Sequence, residues 1–263
     1  MNLGKERRLR RIFREDRKTV IVPMDHGISI GPVTGLINMQ ETMNNLSMGG
    51  VDAVIIHKGI AKNVDVKRMG LIIHLSASTE LCPDPNWKVQ MTSVKQAIKM
   101  GADGVSIHIN IGASNECNML VDMGKIADEC EDFGMPLLAM MYPRGPNIKN
   151  SHDVDLVKHI ARLGAELGAD VVKTNYTGSL ETFREVVKGC PVPVVIAGGS
   201  KAKTDEDLLK MVLESIQEGG VGVSIGRNVF QDQKTTLMVK ALSAIVHNNS
   251  TIEDALRILG EGR

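Results

Sequence analysis

The run GADVVKTNYTG (168–178) decides the fold. It opens on a glycine that ends a helical pattern, then passes into an apolar, β-branched stretch. Three other runs open the same way: GGVDAV (49–54), GADGV (101–105) and GGVGV (219–223). A glycine at a helix C-terminus adopts the left-handed conformation without a Cβ clash, so each run reads as a helix end leading into a strand. Eight strand-like runs follow one another at 19–27, 52–59, 70–78, 104–112, 136–143, 169–176, 193–199 and 222–230. They are short and almost continuously apolar, as parallel strands covered on both faces are. The glycine repeats enter the second, fourth, sixth and eighth. The odd strands are entered differently, as in FGMPLL (133–138) and CPVPVV (190–195).

Amphipathic segments of helical length separate most runs, for example 91–100 and 206–217, and 234–247 closes the series. The connection 60–69 is the weakest helix. Eight βα units with a period of two predict an α/β fold, a TIM (β/α)8 barrel with an N-terminal helix; an open doubly wound sheet is the alternative. The expected organisation is one domain over 1–263, with 1–18 as a helical extension. In that extension Leu3, Leu9, Ile12 and Phe13 turn toward the body and the arginines outward.

Composition narrows the partners. Of 263 residues, 43% are hydrophobic and 24% charged, and the formal net charge is +0, so no global field draws the chain to nucleic acid or a membrane surface. No apolar run reaches the roughly 18 residues of a membrane span. Cys82, Cys117, Cys130 and Cys190 form no C-x-x-C pair, which argues against a zinc ribbon or disulfide scaffold and for a reduced, cytoplasmic setting. No cofactor is expected.

Barrel enzymes build their sites at the C-terminal strand ends. Here those ends carry Asp25 and His26, His57 and Lys58, His74, His108 and Asn110, Tyr142 and Arg144, and Lys173, Asn175 and Tyr176. The seventh adds AGGS (197–200) and the eighth Gly226 and Arg227. Phosphate commonly sits at the loops after strands seven and eight. Gly198 and Gly199 let amide groups approach an anion, and the Arg227 fork matches phosphate oxygens. Strand alternation puts Val171, Lys173 and Asn175 on one face. A lysine facing the dry helix layer would lack a partner, so Lys173 points inward near the mouth. A desolvated lysine near other cations can fall to roughly pH 7–8 and attack a ketone as the neutral amine. The competing reading is a lysine that only binds a phosphate or carboxylate. Tyr142 and Asp25 are the acid/base candidates. A metal held by His26, His57, His74 and His108 is disfavoured, because these positions form no H-x-H or H-x-x-x-H pair and differ in strand parity.

The motifs VPMDHGISIGPVTGL (22–36), AMMYPRG (139–145), VKTNYTG (172–178), AGGSK (197–201) and GRNVFQ (226–231) occur in order at the appropriate strands. Through them the chain resembles the archaeal-type class I aldolases, over about residues 18–247. The resemblance implies Lys173 as the Schiff-base lysine, Tyr142 as proton donor and Asp25 as acid/base. It implies a binding set of Asp25, His26, Gly27, Ile28 and Ser29 from the first motif, and Tyr142, Pro143 and Arg144 from the second. Lys173, Gly198, Gly199, Gly226 and Arg227 complete it, the last four holding a substrate phosphate. Fructose-bisphosphate aldolases of the family read D-H-G-apolar-E-H-G-P at the first motif, where this chain has Ser29 and Ile30. The pattern is nearest to members that transfer a three-carbon unit between aldehydes, from 6-deoxy-5-ketofructose 1-phosphate to L-aspartate semialdehyde, toward aromatic amino acids. A class I fructose-bisphosphate aldolase is the alternative. The partners so implied are a phosphorylated ketose-like donor and a small aldehyde acceptor. A homo-oligomer is also implied, as a decamer of two pentameric rings.

Overall fold

The computed structural model describes residues 3–260; the ends of the expected 1–263 domain and 1–18 extension lie outside the described residues. Eight parallel strands close into a barrel: β1 (Thr19–Pro23), β2 (Ala53–Ile56), β3 (Gly70–His74), β4 (Gly104–Ile111), β5 (Leu137–Pro143), β6 (Val171–Thr174), β7 (Val194–Ala197) and β8 (Gly222–Ser224). Each pairs with its sequence neighbours, and β8 returns to β1 with Thr19 opposite Gly222. The eight runs read from sequence are these strands, and the closed order removes the open-sheet alternative.

The period-2 pattern divides the core in two. Ile21, Ile55, Ile72, Leu138, Met140, Tyr142, Val171 and Val195 pack together inside the barrel. Their strand neighbours, such as Val20, Val54, Ile73, Val105, Met141 and Val172, join the larger layer beneath the helices. Those helices include Glu116–Phe133, Val154–Glu166, Asp205–Gln217 and Thr235–Asn248. The weak 60–69 connection contains only the turn Lys58–Ala61.

The glycines that signalled the fold do take positive φ: 87° at Gly50, 75° at Gly101, 95° at Gly168 and 92° at Gly219. The contrast drawn with the odd strands is too sharp, because Gly134 before β5 caps its helix the same way at φ 58°. The true period of two lies in the residue that follows. Asp52, Asp103 and Asp170 each precede an even strand and accept the backbone N–H of the odd strand before it: Val20 at 2.7 Å, Leu71 at 2.9 Å and Leu137 at 2.8 Å. Each aspartate also donates its own N–H to the carbonyl of that same residue. In the fourth repeat Val221 stands in that place and keeps only the backbone bond, to Val194. Strands are thus clamped in pairs at the barrel floor.

The N-terminal helix Leu3–Ile12 and the turn after it use the same three aspartates: Lys5 meets Asp170 at 3.1 Å and Arg11 meets Asp103 at 2.5 Å from the helix, and Arg14 beyond it meets Asp52 at 2.5 Å. Ile12 is buried in the floor of the interior core. Gly70 and Gly104 make room for it: a Cβ on Gly70 would lie 2.4 Å from the Arg11 carbonyl. Leu9 and Phe13 are half-buried, whereas Leu3 is 73% exposed, at the first turn of the helix rather than toward the body. Two elements escaped the sequence pattern, a ribbon of Ser76–Ala77 with Val89–Gln90 after β3 and a final helix Ile252–Gly260.

Candidate active site

A cavity of about 370 Å³ opens at the C-terminal ends of the strands. Lys173 lies near the end of β6, opposite Met140 of β5 and Val195 of β7, and is 6% exposed. Burial is the main cause that lowers its pKa to about 8, against the opposing pull of Asp25; Arg144 and Arg227 push in the same direction as burial.

Asp25 follows the end of β1 and starts the short helix His26–Ile30. Burial disfavours its charge, but the field of His74, His26, Lys173 and His57 prevails and holds the carboxyl well below the usual carboxylate range. His26 Nδ1 and His74 Nε2 each stand 3.6 Å from its oxygens. Burial in turn lowers His74 to about 4, and lowers His26 and His57 as well. At neutral pH these imidazoles are therefore uncharged, and Lys173 is the ionisable cation facing the carboxylate.

Tyr142 ends β5 inside the cavity, 5% exposed. Burial raises its pKa above the ordinary phenol value, so the hydroxyl keeps its proton. The His108 ring meets it edge-on with centroids 5.0 Å apart, and the Arg144 guanidinium lies 4.8 Å over its ring. Across the mouth, Gly198 and Gly199 after β7 and Gly226 and Arg227 after β8 line the wall. Arg227 donates to the Gly199 carbonyl at 2.8 Å. Gly226 is packed tightly, since a Cβ there would sit 2.6 Å from the Pro23 carbonyl and 2.7 Å from His26. His26 Nδ1, Arg227 Nε and Ser224 Oγ are buried without a hydrogen-bond partner, and all three residues line the cavity.

The fold thus brings together Asp25, His26, Ser29, Tyr142, Arg144, Lys173, Gly198, Gly199, Gly226 and Arg227. Gly27 and Ile28 are exposed on the short helix outside the lining, and Pro143 is buried in the β5 ladder opposite Ile111. Tyr176 turns away, its hydroxyl bonded to Glu214 at 2.6 Å under the helices. Lys58 leaves the cavity to donate to the Met91 carbonyl. Of the strand-end histidines, His26, His57 and His74 gather around Asp25, with the His57 and His74 rings 5.3 Å apart, whereas His108 Nε2 turns to Asn110 Oδ1 at 2.9 Å. Among the described residues no group of three or more His, Cys, Asp or Glu is arranged to hold a metal ion.

Strand-end reasoning missed one wall. Ser78, Thr79, Glu80, Pro85, Asn86 and Lys88, all from the loop that joins the two strands of the ribbon after β3, face the cavity. The polar, proline-rich stretch STELCPDPNWK (78–88) was the available signal. Asn228 also went unread; it accepts from the Ala202 N–H at 2.7 Å and donates to the carbonyls of Gly198 and Ser200, fixing the loop after β7.

Residues 19–232 match the model of the DeoC/LacD family aldolases. The chain is 47% identical over 263 residues to 2-amino-3,7-dideoxy-D-threo-hept-6-ulosonate synthase 1 of Archaeoglobus fulgidus, covering 98% of this chain and 96% of that protein. It is 41% identical over 248 residues to 2-amino-4,5-dihydroxy-6-oxo-7-(phosphonooxy)heptanoate synthase of Streptomyces griseus, covering 93% and 90%. Among solved structures it is similar, with TM-score 0.86 and 32% identity over 92% of this chain and 99% of the other, to an archaeal fructose-1,6-bisphosphate aldolase whose catalytic lysine is covalently bound to the carbinolamine intermediate. A closed eight-strand barrel, a buried lysine at the mouth and this likeness along almost the whole length lead to one conclusion: the chain belongs to the DeoC/LacD family of aldolases.

Proposed function

We propose that the protein is a 2-amino-3,7-dideoxy-D-threo-hept-6-ulosonate synthase. It moves a three-carbon unit from 6-deoxy-5-ketofructose 1-phosphate to L-aspartate semialdehyde through a Schiff base on Lys173. The observation that carries this reading is Lys173 itself, buried in a cavity beside an ionised carboxylate and lowered to about 8, so that an appreciable neutral fraction exists near pH 7.

The neutral amine adds to the donor's C5 ketone. Tyr142 gives a proton to the carbinolamine oxygen, water leaves and the iminium forms. Asp25 takes the proton of the C3 hydroxyl, the C3–C4 bond breaks into the iminium, and hydroxypyruvaldehyde phosphate departs with C3 as its aldehyde carbon. The enamine attacks the acceptor aldehyde, Asp25 returns its proton to the new alkoxide, and hydrolysis frees Lys173. The product feeds 3-dehydroquinate and the aromatic amino acids.

The donor has two ketones, at C2 and C5, and this product requires the C5 ketone on Lys173. The retained fragment then ends in a methyl group, and the phosphate belongs to the half that leaves. Arg227 and the amides of Gly198, Gly199 and Gly226 suit a phosphate adjoining the reacting ketone, as in fructose bisphosphate. For the 6-deoxy donor the phosphate lies at the opposite, ribbon side of the mouth. On the same reading the enzyme is cytoplasmic, its four cysteines being free thiols, and it assembles as a decamer of two pentameric rings, a mass that light scattering would read.

Product analysis tests the assignment. With donor and L-aspartate semialdehyde, the account expects the seven-carbon amino keto acid together with the phosphorylated aldehyde. Rapid cleavage of fructose bisphosphate with no use of the semialdehyde would establish the aldolase alternative instead.

A further inference from the structure

The ribbon after β3 carries a second charged group that the strand-end motifs do not include. Lys88 and Glu80 both line the cavity on this ribbon, on the side away from Arg227. Lys88 is half-buried; its Nζ donates to Ser78 Oγ and to the Pro85 carbonyl at 2.9 Å, so both acceptors are neutral oxygens. Burial and then the charge of Arg144 lower its pKa, which puts the two cations within electrostatic reach of each other. The mouth therefore has two cationic poles: Arg227 after β8, and Lys88 with Arg144 after β3 and β5. Lys173 and Asp25 lie in the wall between them.

The ribbon is tied to the residue at which this chain departs from the bisphosphate aldolase pattern. Ser29 Oγ donates to the Ser78 carbonyl at 3.1 Å, and the Glu80 N–H donates to the Ser29 carbonyl at 3.1 Å. A small residue at position 29 lets the ribbon close onto the first motif and sets Glu80 at the rim beside Lys88.

We propose that Glu80 and Lys88, backed by Arg144 and held by Ser29, form the binding site for the α-amino-acid end of the acceptor. This rests on the reaction assigned above, in which the exchanging half of the substrate faces the ribbon. That half alternates between two chemistries. The leaving aldehyde carries a phosphate, for which Lys88 and Arg144 supply positive charge. The entering aldehyde carries a carboxylate and an ammonium group: the carboxylate takes the place of the phosphate at Lys88 and Arg144, and Glu80 receives the ammonium. Glu80 therefore selects the acceptor over the departing aldehyde, because it attracts the ammonium and repels the phosphate.

The full-length enzyme with Glu80→Gln and Lys88→Gln tests this. Transfer to L-aspartate semialdehyde is compared with transfer to propionaldehyde, which lacks both charged groups, and the donor KM is measured alongside. Glu80→Gln is expected to lower the preference for the semialdehyde about tenfold or more, while the donor KM stays the same or falls. Lys88→Gln is expected to raise the KM of both donor and semialdehyde. Equal losses with the two aldehydes, or a donor KM raised by Glu80→Gln as much as the acceptor KM, would overturn the proposal. Borohydride trapping of donor on Lys173 in each variant separates failure of this site from misfolding. If the unaltered enzyme shows no trapping, the Schiff-base reading fails, and with it this site.

Discussion

Burial brings Lys173 down while Asp25 pulls the other way. The lysine, lowered to about 8 chiefly by burial, is a base whose reactive form is the neutral one. The rate of Schiff-base formation should therefore rise with pH through about 8 and level off above it, as a single-turnover trapping experiment would read. Asp25 is ionised across this range and does not bend the profile. Tyr142→Phe should leave the barrel folded and lower kcat by about a hundredfold or more, the usual contribution of a positioned acid; circular dichroism and steady-state rates on one preparation check both halves. These three residues were legible in the sequence because each ends a strand whose inward parity can be counted. Glu80 and Lys88 were not, since the loop joining the ribbon strands has no parity to count and its approach to the cavity depends on Ser29 lying some fifty residues earlier.

At the scale of elements, the aspartates beneath the barrel distinguish a buried hydrogen bond from a surface charge. Asp103→Ala would leave the Leu71 N–H without its acceptor in a buried strand, at a cost of about 1–3 kcal/mol. Arg11→Ala removes only the outer partner, whose side chain is 59% exposed, and should cost less than about 1 kcal/mol. Denaturant titration of the two variants would show the difference, and equal losses would contradict the clamp. The glycine repeats made the strand entries readable. The role of the aspartate after them needed the structure, because its acceptor work joins residues roughly thirty positions apart, between strands whose pairing the sequence only implied. The exposed Leu3 shows the same limit: periodicity predicts which side of a helix is apolar, but not how far the barrel floor extends beneath it.

Across the whole molecule, several imidazoles are buried in neutral form around the cavity. His74 is lowered by burial from 6.5 to about 4, and His26, His57 and His108 are also lowered, burial being the largest cause in each. Between these values the unfolded chain binds protons that the folded chain does not. Stability should therefore fall as pH drops from about 6.5 toward about 4, stay level from 6.5 to about 8, and rise above that as the lowered Lys173 comes into play. Thermal melts across that window check the sign, and a melting temperature that rises on acidification would contradict it.

The central claim is that Lys173 carries the substrate, and borohydride reduction followed by peptide mapping tests it most directly. Incubated with the 6-deoxy donor and reduced, the enzyme should lose activity and gain one adduct, on the peptide containing Lys173, with the mass of the three-carbon methyl ketone fragment rather than its phosphorylated counterpart. An enzyme that stays active with that peptide unmodified, or an adduct on another lysine, would contradict the account.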